Sequence, residues 1–158
     1  MGCDDGNNVA GDGCSDACTV ECGWVCGDNC DFICGDGFRA LTSEEKCDDG
    51  NTDDGDGCAA NCAVEVGWMC TPKPEEECGP DICDALSGDG IMVGGEACDD
   101  GNLESGDGCS SSGGLECGFL QLGSFVGTVC GDGMYAGAEA CDDSNVADGD
   151  GCSSSCSV

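Results

Sequence analysis

The chain has no histidine and only three basic residues, Arg39, Lys46 and Lys73, against 34 acidic ones, for a formal net charge of −31. Nucleic acid is not an expected partner, because gripping a phosphate backbone rests on lysine and arginine. Aromatic residues are equally scarce: two Trp, one Tyr and four Phe in 158 residues. Cysteine aside, the 39% apolar fraction is mostly Ala, Val and a little Leu. So few large side chains cannot bury enough area to oppose the conformational entropy lost on folding. No apolar run is long enough to cross a bilayer, so no membrane insertion is expected. No Asn-x-Ser/Thr sequon is present, so N-glycosylation is not expected. The opening residues lack a signal-peptide pattern; a secreted chain is expected either to have lost one or to be an excerpt of a longer polypeptide.

Without histidine, general acid–base chemistry would fall to carboxylates. These are too numerous and too regularly placed to single out a catalytic pair. A glycosidase pair also needs a deep cleft, which short stapled units do not easily build. The expectation is a protein that is not an enzyme.

What the chain has instead is 20 cysteines and 30 glycines. The block Cys-Asp-Asp-Gly-Asn followed by Gly-Asp-Gly-Cys recurs from Cys3, Cys47, Cys98 and Cys141, with Ser144 replacing the glycine in the last copy. The starts are 44, 51 and 43 residues apart, so the chain is an array of one small unit. Cysteine at this density implies an oxidising compartment, and an extracellular location is expected. A thiolate metal cluster is disfavoured, because there is no Cys-x-Cys or Cys-x-x-Cys.

The cysteines fall into four-membered sets: Cys34, Cys47, Cys58 and Cys62; Cys83, Cys98, Cys109 and Cys117; Cys130, Cys141, Cys152 and Cys156; and, in the incomplete first unit, Cys3, Cys14, Cys18 and Cys22. Cys26 with Cys30 and Cys70 with Cys78 are read as satellite pairs, giving ten disulfides in all. Each set of four allows three connectivities, and spacing does not choose among them.

Each unit also gathers hard oxygens. Calcium takes six to eight oxygen ligands from carboxylates, amides and carbonyls. The candidate ligands are Asp4, Asp5, Asn7 and Asp12; Asp48, Asp49, Asn51 and Asp56; Asp99, Asp100, Asn102 and Asp107; and Asp142, Asp143, Asn145 and Asp150. Adjacent carboxylates about 4 Å apart repel by roughly 4 kcal/mol at an effective dielectric near 20, which a cation would relieve. Glu45, Glu96 and Glu139, and Asp36, Asp89 and Asp132, could add oxygens. The competing reading is that Asp and Asn only cap turns. An EF-hand is excluded: twelve residues from Asp49 the chain has Ala60, where a bidentate glutamate belongs.

Cys-Gly-Asp-Gly, then Gly-x-Glu-x, then the Cys-Asp-Asp-Gly-Asn and Gly-Asp-Gly-Cys blocks and a last cysteine resemble the myxobacterial-type cysteine-rich disulfide repeat. They are also similar to the calcium-binding Notch-type repeats of pappalysin-like proteins. The resemblance implies an extracellular surface or matrix protein with calcium-ordered repeats, the ligands being the Asp and Asn of the first block and the Asp of the second. Departures from the pattern are Gly113 in place of a cysteine, Ser144 in place of a glycine, and Cys83 displaced from Gly88-Asp89-Gly90.

The expected fold is a small disulfide-rich repeat array, elongated, mostly loops and turns with short β-hairpins and little or no helix. Its divisions are residues 1–33 (partial first repeat), 34–82, 83–129 and 130–158 (truncated fourth repeat). The best strand candidates are Gly37–Leu41, Gly90–Val93 and Gly133–Ala136, each after a Gly-Asp-Gly turn. Phe119–Val126 is a further strand or a covered loop, and the Pro72–Glu77 stretch reads as a linker. Trp24, Trp68 and Phe119 are expected to pack on disulfides rather than to form a carbohydrate platform. The function expected is a structural segment or subunit of a fibre, appendage or matrix, stabilised by calcium, with neighbouring repeats or identical chains head-to-tail as partners. An alternative assignment is an extracellular recognition module for a protein or glycan, attached to a secreted protease.

Overall fold

A computed structural model describes residues 2–40, 44–73, 78–123 and 125–158. Among these there is no helix, and none therefore long and apolar enough to cross a membrane. Regular structure is confined to three two-stranded antiparallel hairpins. β1 (Trp24–Cys26) pairs with β2 (Cys30–Phe32), β3 (Trp68–Thr71) with β4 (Ile82–Ala85), and β5 (Phe119–Leu122) with β6 (Phe125–Thr128). The rest is turns and loops, as a glycine-rich, disulfide-dense chain dictates. The chain divides into two compact units, residues 1–85 and 86–158.

The strands do not lie where the β-propensity after each Gly-Asp-Gly turn placed them. Those segments are coil, and Leu41 lies outside the described residues. Strands form instead in the Gly-Trp-x-Cys tails, where a cross-strand disulfide can close the ribbon. Cys26 faces Cys30 and Cys70 faces Cys83 across the ladders, and both pairs are bonded. In the third hairpin Gln121 faces Val126, so both cysteines of that pair have been replaced together. Phe119–Val126 becomes the β5–β6 hairpin, with Ser124 outside the described residues. The stretch read as a linker instead connects β3 to β4 within one hairpin, and its residues 74–77 lie outside the described residues.

Nine disulfides form among the described residues rather than ten. The recurring link joins the two cysteines that bracket the acidic loop: Cys3–Cys14, Cys47–Cys58, Cys98–Cys109 and Cys141–Cys152. A second link ties the Cys-Gly-Asp-Gly cysteine to the last one, Cys34–Cys62 and Cys130–Cys156. The expected Cys70–Cys78 pair is corrected: Cys70 bonds its cross-strand neighbour Cys83, and Cys78 bonds Cys22. The third four-cysteine set is corrected with it. Ser87, not a displaced Cys83, leads its Gly-Asp-Gly, and a Cβ on Gly113 would lie 2.7 Å from Ser87 Oγ. The usual cysteine pair is thus replaced at both ends by small residues. Cys18 and Cys117 are exposed and unpaired.

The core is built from these links. Among the described residues the buried apolar ones are eight cysteines and two alanines, Ala40 and Ala136. Trp24 and Trp68 lie beside the hairpin disulfides, as expected, whereas Phe119, whose hairpin has no disulfide, lies by Gly137 and Thr128. A Cβ on Gly57 would strike the Cβ of Cys83 and the ring of Trp68, and Gly57 has φ +118°, so only glycine lets the hairpin disulfide and the indole close on the loop. Trp24 and Phe32, cross-strand partners in the first hairpin, stack edge to face with centroids 6.5 Å apart.

Candidate functional site

The four acidic loops share one hydrogen-bond plan, and it divides the candidate ligands into two kinds. In three of the four blocks the first Asp is taken up by several backbone N–H groups, while Asp4 accepts that of Gly6. Asp48, 1% exposed, accepts N–H bonds from Gly35 (2.8 Å), Asp36 (3.1 Å), Gly37 (2.8 Å) and Gly50 (2.8 Å). Asp99 does the same with Gly88, Asp89, Gly90 and Gly101, and Asp142 with Gly131, Gly133 and Ser144. This carboxylate staples the Gly-Asp-Gly turn to the loop. Burial pushes Asp99 up, but the N–H groups of Gly101, Gly90, Gly88 and Asp89 outweigh it and leave the carboxyl below its ordinary range. The N–H of Ser144, with those of Gly131 and Gly133, lowers the half-buried Asp142 in the same way.

The Asn is also fully engaged. Asn7, Asn51, Asn102 and Asn145 donate through Nδ2 to Asp12 (2.8 Å), Asp56 (2.9 Å), Asp107 (3.1 Å) and Asp150 (3.2 Å). Their Oδ1 atoms accept the N–H two residues on, from Val9, Asp53, Glu104 and Ala147. Turn-capping therefore accounts for the first Asp and the Asn at every block.

The second Asp and the loop Asp are different. In three of the units the second Asp accepts the N–H of the closing cysteine: Asp5 from Cys14 (3.1 Å), Asp100 from Cys109 (2.8 Å) and Asp143 from Cys152 (2.9 Å). Yet in each of the four units one oxygen of this pair is fully buried and makes no hydrogen bond: Asp12 Oδ1, Asp56 Oδ1, Asp100 Oδ1 and Asp143 Oδ1. Burial raises Asp49 above the ordinary carboxylate range, and the facing charge of Asp56 adds to the shift. The first unit's loop opens on a cleft of about 450 Å³ lined by Asp4, Asp5, Asn7 and Asp12, with Asp28 and Asn29 contributed by the β1–β2 turn. Buried carboxylate oxygens without donors are the chemistry that a hard cation satisfies.

Two sets of glutamates complete the plan. Glu65 accepts the N–H groups of Gly55 and Gly57 (both 2.8 Å), so its carboxylate holds the acidic loop from behind. Glu21 and Glu116 occupy the same place in their units. The recurring Glu before Gly-Trp was the available signal for this role. Glu45, Glu96 and Glu139 lie apart from the Asp pair and cap the turn before the block, accepting from Ala40, Val93 and Ala136. Burial raises Glu45. Asp36, Asp89 and Asp132 cap their own turns, bonding the N–H of Phe38, Ile91 and Met134.

One further pair was not visible in the sequence. Asp81, 6% exposed, accepts the N–H of Asp48 (3.1 Å) and pairs with Arg39 at 3.2 Å. In the third unit Gln121 does this work, accepting the N–H of Asp99 (3.0 Å) and donating to its carbonyl (3.3 Å). The two residues differ in type and in distance from the motif, so no spacing rule connects them.

Fold and site together define a small, disulfide-stapled repeat module with one acidic loop per repeat. A family model described as a domain of unknown function, DUF4215, matches residues 17–63, 65–117 and 123–157, and the chain belongs to that family. No curated protein and no solved structure matches it.

Proposed function

We propose that the chain is an extracellular, non-enzymatic structural protein whose stapled repeats are ordered by calcium, a segment or subunit of a fibre, appendage or matrix. The observation that carries this reading is the buried, donor-less carboxylate oxygen found at the same Asp pair in all four units. The residues that would hold the ion are Asp5 with Asp12, Asp49 with Asp56, Asp100 with Asp107 and Asp143 with Asp150, a narrower set than the sequence offered. The resemblance to calcium-binding Notch-type repeats and the oxidising environment that nine disulfides require both support it. Mechanically, the ion cancels carboxylate repulsion while the disulfides limit the unfolded chain. The expected calorimetric result is calcium binding by the oxidised chain with dissociation constants of about 0.1–1 mM, the range of extracellular modules. Asp49→Asn with Asp56→Asn should remove one site of the set; no heat at millimolar calcium would refute the reading.

One observation favours the recognition-module reading. Leu122 and Phe125, cross-strand partners at the tip of the β5–β6 hairpin, are 66% and 67% exposed. If this tip recognises a glycan or protein, Leu122→Ser with Phe125→Ser should abolish retention of the chain on extracellular matrix material. A structural array would be retained equally with or without them.

A further inference from the structure

We infer that a groove in the third unit, between its acidic loop and the β5–β6 hairpin, takes an arginine side chain from a basic protein partner. Phe119 supplies a flat apolar face for the guanidinium, and Asp107 supplies the opposite charge. The inference goes beyond the structural reading, since it gives the array a partner, and it does not rest on calcium.

The groove exists because this unit is filled differently from its sisters. In the first two units a hairpin disulfide and an indole close on the glycine before the closing cysteine. A Cβ on Gly13 would lie 3.0 Å from Cys30 Sγ and 3.2 Å from the Trp24 ring, and one on Gly57 3.2 Å from Cys83 Sγ and 3.0 Å from the Trp68 ring. In the third unit both hairpin cysteines are gone, Val126 and Asp100 flank Gly108, and the smaller Phe119 ring lies against Gly137 instead. A groove of about 460 Å³ is left, lined by Phe119, Val126 and Thr128 of the hairpin, by Gly137 beyond it and by Asp107 of the acidic loop. Phe119 and Thr128 are cross-strand partners and Val126 lies two residues from Thr128, so all three share one hairpin face. Leu122 and Phe125, the exposed pair at the tip, stand on the other face.

The chemistry of the lining selects the occupant. Asp107 is exposed, and among the described residues its carboxylate accepts only the Asn102 amide (3.1 Å), so one oxygen is left for a ligand. Asp100 stands behind it, its Oδ2 3.2 Å from where a Cβ on Gly108 would lie, and adds to the negative potential. With 34 acidic residues against three basic ones, the chain attracts cations and repels anions. An aromatic face beside a carboxylate suits a guanidinium, which stacks on the ring while its N–H fork meets the carboxylate. The apolar stem of the same side chain can cover Val126 and the glycine wall. The chain's single arginine, Arg39, is already paired with Asp81 at 3.2 Å, so the occupant comes from another protein rather than from a second copy.

The test titrates the oxidised full chain, in chelator and at about 0.15 M salt to screen long-range attraction, and reads amide chemical shifts. The probes are the capped tripeptide Gly-Arg-Gly and its citrulline counterpart, which keeps the shape and loses the charge. The arginine peptide should shift Asp107, Thr128 and Gly137 and leave Asp12, Asp56 and Asp150, the same loop position in the other units, unmoved. The citrulline peptide should bind about tenfold more weakly. Phe119→Leu keeps apolar bulk without the ring and should weaken the arginine peptide about threefold. Asp107→Asn should remove most of the difference between the two peptides. Because the peptides are compared on the unaltered chain, the outcome does not depend on either variant folding. Equal shifts at all four loop positions, equal affinity for the two peptides, or no shift in the groove would overturn the inference. A chain that binds the arginine peptide here in chelator but gives no heat with calcium keeps the groove and loses the calcium reading alone.

Discussion

At the scale of single residues, the acids of these repeats are not interchangeable. Asp99 is 3% exposed and is held below its ordinary value by four backbone N–H groups that outweigh its burial. Replacing it by Asn would turn an amide donor toward those donors, so Asp99→Asn should cost about 2–3 kcal/mol in chemical denaturation. The sign of the pH dependence follows. The contribution is complete above the unfolded value near 4 and is lost as the pH falls through the lower folded value. Stability of the wild-type chain should drop across that acid range, and the Asn variant should drop less. Ser144 shows the opposite situation. It keeps the bond to Asp142 (2.8 Å) that Gly50 makes to Asp48, but at φ +71°, where a side chain is strained. Ser144→Gly should raise stability by about 1 kcal/mol in thermal unfolding, since glycine relieves that strain.

At the scale of elements, each acidic loop is gripped at both ends by a disulfide, and in the first three units a glutamate of the following tail holds it from behind. Glu65 receives two glycine amides, and losing an ionised acceptor leaves both without a partner. Glu65→Ala should cost about 2 kcal/mol, and amide exchange should quicken at Gly55 and Gly57 before it quickens in β3 and β4. The repeat and its disulfide density were readable in the sequence, because the motif copies align by eye. The bracket link was offered there as one of three connectivities, and geometry selected it. Strand location was misread, because propensity favoured Gly37–Leu41, Gly90–Val93 and Gly133–Ala136, whereas in two of the three hairpins a cross-strand disulfide holds so short a ribbon. Cys22–Cys78 joins residues 56 apart with no repeat relation, so spacing carried no sign of it. The candidate metal ligands were readable as a set but not as a division of labour, since which carboxylate faces amides depends on how the turn closes over it.

At the scale of the whole molecule, disulfides supply what large side chains do not. Among the described residues a buried set of eight cysteines and two alanines leaves the acidic loops with little apolar support, and that is where a cation would matter most. Calcium at about ten times its dissociation constant should add about 1.4 kcal/mol per occupied site. The direct measurement is amide hydrogen exchange of the oxidised chain in millimolar calcium and in chelator. The account predicts slower exchange with calcium in residues 4–12, 48–56, 99–107 and 142–150, with the three hairpins unchanged. Identical exchange in the two conditions would contradict it and leave the acidic loops as turns closed by their own backbone amides.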